Sequence, residues 1–592
     1  MKKILLPGCK NHRRIRAKKI RIKDIMMKKF MIISVLSFVV TINSNAQNQQ
    51  AEAWKQDLDY LVQRIEIMHP NPYAQIPKEE FTRLTEKIRN EITDLSDVDI
   101  VISISELLAT LQDGHTGWAM DKTDPVWLQQ SFHLLPLIQY EFKDGIYVMA
   151  GLQPYEHLVG LKVMQIGNMP IQNVAGKLSA LMSHDNRSGG KKYLYYSLCM
   201  AEMLKKTEAV EDVSNIQMVL QNDRDEKITV EIPTVDLFSM VPFLASSWYP
   251  QAGNGLVTMN QEAEGPLPLW LKKPGEKFWF EYIPEDKTMF LQINSLNFPH
   301  GNGQERSPFG KLCDQFFESF DQNGAEKLVI DIRTNTGGNH VELPLLEGIM
   351  ARPQLNKPDR LFLITGRVTF SAAVHLTSQL KRYTNITLTG EPPSGRPNHY
   401  GANRAFNLPN HPQIVIQSSI DYYQDAQPFN FNTIHAPDIY AEMTAADYRE
   451  NVDPAMQAVK NYDRIISQAN QLRAKLEHTY AANGIPGVRE VYFSNKPALI
   501  ESGYNLEKFF KEFYYGYLTE NKQRPADLSN FLALTLSECP GSIDLTYMLA
   551  LQLECEGRLE EAKQQYKRCL ELNPEHHYAR MKLELLGMES IE

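Results

Sequence analysis

The sequence predicts an α/β protein with helical flanks, on three observations. Between residues 278 and 388, strand-length apolar runs alternate with helical patterns. The strands are Phe278 to Ile283, Met289 to Ile293, Leu328 to Ile332, Leu361 to Thr365 and Ile386 to Leu388, and the helices lie around Phe309 to Phe320, after Gly338 and from about Ser371. Such alternation builds a largely parallel sheet covered by helices. Helical patterns also dominate the stretch before this core and the tail after it. At 592 residues the chain exceeds what one hydrophobic core holds, so several domains are expected.

Residues 1–46 form a leader. They carry 12 Lys/Arg and one Asp, whereas the remainder has 50 basic and 70 acidic residues. An acidic body argues against nucleic acid as a partner. Lys28 and Lys29 precede the apolar run Met31 to Ile42, and Ser44-Asn45-Ala46 supplies a small-x-small cleavage pattern. This reads as a secretory signal peptide starting from Met26 or Met27, cleaved near Ala46. It implies a periplasmic or secreted protein; the alternative is a chain held in the membrane by an uncleaved signal. Past the leader the five cysteines show no metal-type spacing. Buried thiols are expected, and a bond between Cys555 and Cys569 is permitted by the compartment. No cofactor and no metal is called for.

An N-terminal helical unit is expected over 47–125. Leu58, Leu61, Ile65 and Met68 share one helical face, and His69-Pro70 ends that helix. A second helix carries Phe81, Leu84, Ile88 and Ile92. A third starts near Ser96, with Asp99 as an imperfect capping box, and ends at Asp113-Gly114. His115 therefore sits in a loop just past a helix end. Residues 126–240 read as a PDZ-like or small α/β module: Lys143-Asp144-Gly145 makes a hairpin turn, then come a strand over 158–168 and a helix near Val174 to Met182. The α/β core occupies 265–460. In the tail, 490–592, Leu549-Ala550, Gly557, Ala562, Tyr566 and Pro574 follow tetratricopeptide spacing, with a degraded copy about 34 residues earlier. Such a tail packs on the body, self-associates or recruits a protein partner.

Three segments carry chemistry. Ser371, in Thr369-Phe370-Ser371-Ala372-Ala373, follows a strand and opens a helix, which presents a hydroxyl beside the positive helix end. Gly337-Gly338, in Asp331-x-Arg333-x-Asn335-x-Gly337-Gly338, follows another strand and can turn a backbone N–H outward. With the N–H of Ala372, Gly338 or Gly337 would form an oxyanion hole. The third is Asp113-Gly114-His115-Thr116. Arg333, Asp331 and Asn335 read as braces of the glycine turn, His375 as a packing residue, and His399 as a secondary candidate base.

These motifs, with Asp57-Leu58, His69-Pro70, Gly390-Glu391, Gly395, Gly401, Pro437-Asp438 and Asp453-Pro454, resemble the tail-specific, or C-terminal processing, serine peptidases and their tricorn-like relatives, over roughly residues 54 to 460. The resemblance implies a crotonase-like/ClpP-like catalytic core and a serine nucleophile acting on a peptide or protein substrate. Processing peptidases place a lysine in Gly-Lys-Gly where this chain has Gly395-Arg396-Pro397. Arginine does not deprotonate in proteins, so a serine–lysine pair at that position is rejected. The tricorn-like branch uses an early histidine, matching His115. In tricorn a serine precedes that histidine and a glutamate precedes Pro-Asp; here Gly114 and Ala436 stand there. Asp113, Glu391 and Asp438 are the candidates for orienting His115. The expected activity is a serine peptidase with Ser371 as nucleophile and His115 as general base. The alternatives are an inactive peptide- or hydrophobic-ligand-binding protein on the same fold, or a scaffold built on the tail.

Overall fold

The computed structural model describes residues 48–244, 248–301, 305–520 and 528–587. The expected leader lies outside them. Among the described residues no helix is long and apolar enough to cross a membrane.

Three helices open the described chain: 48–68, Lys78–Glu91 and Asp97–Ala109. Ser96 caps the third by accepting the Asp99 N–H at 3.2 Å. That helix stops at Ala109, a turn earlier than the periodicity suggested, and the chain reverses through Gln112 at φ 49°. His115 then precedes the short strand Gly117–Trp118, which pairs with Val415–Ser418 far along the chain.

The next region is a sheet built on Leu137–Phe142, Gly145–Leu152 and Lys162–Ile166. It also contains the hairpin Asn215–Gln221/Lys227–Pro233 and the short strand Leu256–Thr258. Helices Ile171–Ala180 and Arg187–Ser197 pack with it.

The central sheet runs Phe278–Ile283, Thr288–Ile293, Lys327–Asp331, Leu361–Thr365, Thr387–Gly390, Ile439–Tyr440; the first pair is antiparallel and the rest parallel. Both faces are covered, which is why these strands are apolar without alternation. Leu328, Ile330, Leu361 and Leu363 point to one core with Phe309, Phe316, Leu345 and Leu376, whereas Val329, Phe362 and Ile364 meet Met456 and Val459 on the other face. After the last helix of the core, Tyr462–Glu501 forms a long helix broken at Gly484, and five more helices close the chain from Leu506 to Leu585. No disulfide joins Cys555 to Cys569; the latter is buried against the tail's apolar core.

The tail folds back onto the body. Glu575 accepts from Gln75 Nε2 and Tyr400 Oη, both at 2.8 Å, and lies 3.8 Å from Arg396 Nη1. A second brace closes the sheet's far side: Arg333 binds Asp331 and, through Nη1 and Nη2 at 3.1 and 2.9 Å, Asp453. Asp331 is wholly buried. Arg333→Gln would leave two buried carboxylates facing one another. It is expected to cost about 3 to 5 kcal/mol, measured by urea unfolding.

Candidate active site

Ser371 ends the segment after the strand Leu361–Thr365 and sits at the N-terminus of the helix Ala372–Tyr383. Its backbone lies at φ 53°, ψ −127°, a region that costs a non-glycine residue about 1 to 3 kcal/mol. The surrounding contacts impose this: Phe370 N–H donates to the Asn335 carbonyl at 3.0 Å, and Thr369 Oγ1 donates to the Ile332 carbonyl at 2.9 Å. The Ser371 side chain is half-buried, and its hydroxyl has no hydrogen-bond partner among the described residues.

The glycine turn lies against this bend. A Cβ on Gly337 would stand 2.8 Å from Ser371 Cβ and 3.0 Å from Ala372 N. A Cβ on Gly338, at φ 140°, would stand 2.3 Å from Asn297 N. Only glycine fits either position. Asn335 holds the turn: its Oδ1 accepts the Gly337 N–H at 2.8 Å while its Nδ2 donates to the Ile293 carbonyl at 2.9 Å. The N–H of Gly337 is therefore engaged. Those of Gly338 and Ala372 have no partner among the described residues.

His115 is delivered by a knot around Asp113. Oδ2 of this wholly buried carboxylate accepts from Thr116 Oγ1 at 2.5 Å and Ser419 Oγ at 2.6 Å and faces His69 Nε2 at 3.0 Å; Oδ1 accepts the His115 backbone N–H at 2.9 Å. Burial pushes the Asp113 carboxyl up, but the His69 hydrogen bond and nearby His115 outweigh it and bring it down to about 2. Asp185 secures the other side, accepting the Gly114 N–H at 2.6 Å and the Arg396 N–H at 3.2 Å. Gly114 is required there, since a Cβ would meet the Phe370 ring at 2.9 Å.

The His115 ring stacks on Phe370, the residue before Ser371, with centroids 4.4 Å apart, and lies 5.8 Å from the ring of His399. Both its ring nitrogens are buried without a hydrogen-bond partner. Its Nδ1 is 4.0 Å from Asp113 Oδ1, beyond hydrogen-bond reach. Burial outweighs the attraction of Asp113 and lowers the imidazole to about 4, so the ring is neutral at pH 7. Lys192 adds to this: its buried amine sits 4.4 Å from the Phe370 ring centroid, and burial lowers it to about 8.

Of the three carboxylates weighed for orienting His115, Asp113 is adjacent, through the backbone N–H. Glu391 instead binds Arg367 at 2.7 and 3.1 Å, and Asp438 binds Lys508 and the Leu388 N–H. Arg396 donates to the Asp185 carbonyl and to Gln112. His69 was legible as part of a motif; Asp185, Lys192 and Ser419 carry no local sequence signal.

A second serine–histidine contact exists. Ser378 Oγ and His435 Nε2 are 2.7 Å apart, both buried, beside a cavity of about 1090 Å³ between the core and the tail helices. Ser378 lies within regular helix, where neighbouring N–H groups are spent on the helix itself, so its own helix offers it no oxyanion donor. Among the described residues no group of three His, Cys, Asp or Glu side chains is placed to hold a metal ion.

No family model matches the chain, and no curated protein does. Among solved structures it is similar to mature CPAF complexed with lactacystin, at 13% identity and a TM-score of 0.48 over 71% of this chain and 98% of that one. It is also similar to the photosystem II D1 C-terminal processing protease, at 13% identity and 0.29 over 65% and 92%. A third is the tricorn protease, at 13% and 0.30 over 70% and 36%. At these identities and scores the likeness decides nothing about activity, which rests on the site itself.

Asp113→Asn would leave four donors around an amide that offers one acceptor oxygen. It is expected to destabilise the chain by about 1 to 3 kcal/mol. The folded carboxyl titrates below its ordinary 3.8, so its contribution is present above pH 4 and is lost as pH falls towards 2. Urea midpoints measured across that range should fall in the wild type and change less in the variant.

Proposed function

We propose that this chain is a serine peptidase that works through an acyl-enzyme on Ser371. The observation that carries the reading is the strained serine at a helix N-terminus, with two unengaged N–H groups beside it and an unpartnered neutral imidazole on the adjoining ring. Ser371 Oγ attacks the peptide carbonyl carbon as its proton passes to His115. The N–H groups of Gly338 and Ala372 receive the negative charge forming on the carbonyl oxygen. His115 returns the proton to the leaving amine as the C–N bond breaks, and water then hydrolyses the ester by the same steps. Asp113 fixes the loop that carries His115 and supplies a negative field to the imidazolium at 4.0 Å.

In this reading the tricorn-like histidine replaces the lysine of the processing peptidases, and the core is the crotonase-like/ClpP-like one. The edge strand Lys227–Pro233 suits strand addition by an extended peptide, the role of a PDZ-like module. The leader sends the protein to the periplasm or beyond, and the repeat-like tail serves a protein partner or self-association. A binding protein without turnover is the second reading, favoured by the absence of a carboxylate hydrogen-bonded to the His115 ring among the described residues.

A fluorophosphonate probe separates the two. The wild type and Ser378→Ala are expected to label, and Ser371→Ala to remain unlabelled. His115→Ala should label slower by roughly 10² to 10⁴-fold. An unlabelled, folded wild type would exclude the peptidase. The base form of His115 persists down to about pH 4, so the rate is expected to hold through pH 6 and to fall only near 4. An acid limb centred near 6.5 in the labelling profile would contradict this.

A further inference from the structure

His375, read from sequence as a packing residue, joins the Ser371 helix to the segment after the glycine turn and to the hairpin of His399. It lies one turn into the Ser371 helix, and its backbone N–H donates to the Ser371 carbonyl at 3.1 Å. Its Nε2 is 2.8 Å from Glu342 Oε1, and Glu342 follows the glycine turn by four residues. Its Nδ1 lies 2.7 Å from Asp425 Oδ1 as an ion-pair contact outside hydrogen-bond geometry, just past the hairpin strand Asp421–Gln424 that pairs with Asn398–Gly401 and so with His399. The face of the ring stacks on His340, two residues after Gly338, with centroids 4.1 Å apart and planes 3° apart.

Glu342 and Asp425 are both more than nine-tenths buried, and Glu342 Oε2 and Asp425 Oδ2 have no hydrogen-bond partner. Two such carboxylates cannot both stay ionised together without a cation between them. His375 is the group so placed. We propose that His375 is a positioning residue, a cation clamped between Glu342 and Asp425 that holds the Ser371 helix against the glycine turn and against the hairpin of His399. The inference rests on the peptidase reading and assigns a part of its machinery that touches neither substrate nor the reacting atoms. A shift of either segment would separate the Ala372 and Gly338 donors, and misplacement by about 1 Å costs roughly 10²-fold in rate.

The carboxylates raise the His375 imidazole to about 9 against the opposing effect of burial, so the clamp is charged below pH 9 and is lost as pH rises through it. Glu342 and His340 from the glycine segment and Asp425 from the hairpin touch it, His399 acts on it electrostatically, and Tyr423 packs on His340 and His399. Lys192, lowered to about 8, titrates in the same range from the far side of the site.

The test is the rate of fluorophosphonate labelling from pH 6 to 10.5 for the wild type, His375→Gln and Glu342→Gln, with near-ultraviolet circular dichroism to confirm folding. The wild-type rate is expected to fall through about pH 9. His375→Gln should label roughly 10²-fold slower at pH 7.5 and lose that fall. Glu342→Gln removes one of the two charges that raise the imidazole, so its fall should move to lower pH. A His375→Gln protein with the wild-type rate and profile would overturn the clamp while leaving the peptidase reading intact. So would an alkaline fall that persists in His375→Gln, which assigns it to Lys192. If His375→Gln does not fold, the unmoved alkaline limb of a folded Glu342→Gln overturns it. A wild type that never labels removes the peptidase reading, and this inference with it.

Discussion

The buried carboxylate of Asp113 is the constraint on which the site depends. A charge with no access to water must be surrounded by donors, and here the donors come from four places: His69 at the end of the first helix, Thr116, the backbone of residue 115, and Ser419 in a distant hairpin. Satisfying one side chain therefore fixes the helical unit, the histidine loop and the 398–424 hairpin relative to one another. The Ser419 N–H, which donates to Thr116 Oγ1 at 2.9 Å, closes the same knot from its other side. The position of the His115 ring on Phe370 follows from this arrangement.

Around this knot the polar groups fall into two kinds. Several that hold the frame are fully engaged: Asn335 uses both ends of its amide, and Arg333 spans two carboxylates. Those at the chemistry are left open: the Ser371 hydroxyl, the Gly338 and Ala372 N–H groups and both nitrogens of His115. Leaving a buried polar atom without a partner costs about 1 to 3 kcal/mol, and native chains tolerate few such atoms. Their convergence around the strained Ser371 backbone separates this place from the Ser378–His435 pair a short way down the same helix, where hydroxyl and imidazole are hydrogen-bonded to each other.

Much of the fold was legible because its signals are local. The strands Phe278–Ile283 and Leu361–Thr365 fall where their apolar runs do, and Ser96 caps the third helix as its hydroxyl suggested. Ser371, His115 and the two glycines were legible as residue types in suggestive turns. What was not legible is whatever depends on distant partners. The strands of the 398–424 region are short and mixed in polarity, so periodicity gives them no voice, yet they bring His399, Ser419 and Asp425 to the site. Asp185 and Lys192 lie in a helix-rich stretch with no motif, and only the packing of that module on the core shows that they reach Gly114 and Phe370. Glu391 and Asp438, weighed beside Asp113, are carboxylates whose cations, Arg367 and Lys508, could not be assigned from sequence.

The separation of Asp113 from Ser419 by 306 residues sets an order of events during biosynthesis. The segment bearing His115 emerges early and the serine much later, yet the carboxylate that orders the histidine loop lacks its last donor until the hairpin has been made. A nascent chain that already contains Ser371 therefore still lacks its completed loop. The histidine loop gains its full set of donors only once the chain has been made well past Ser371.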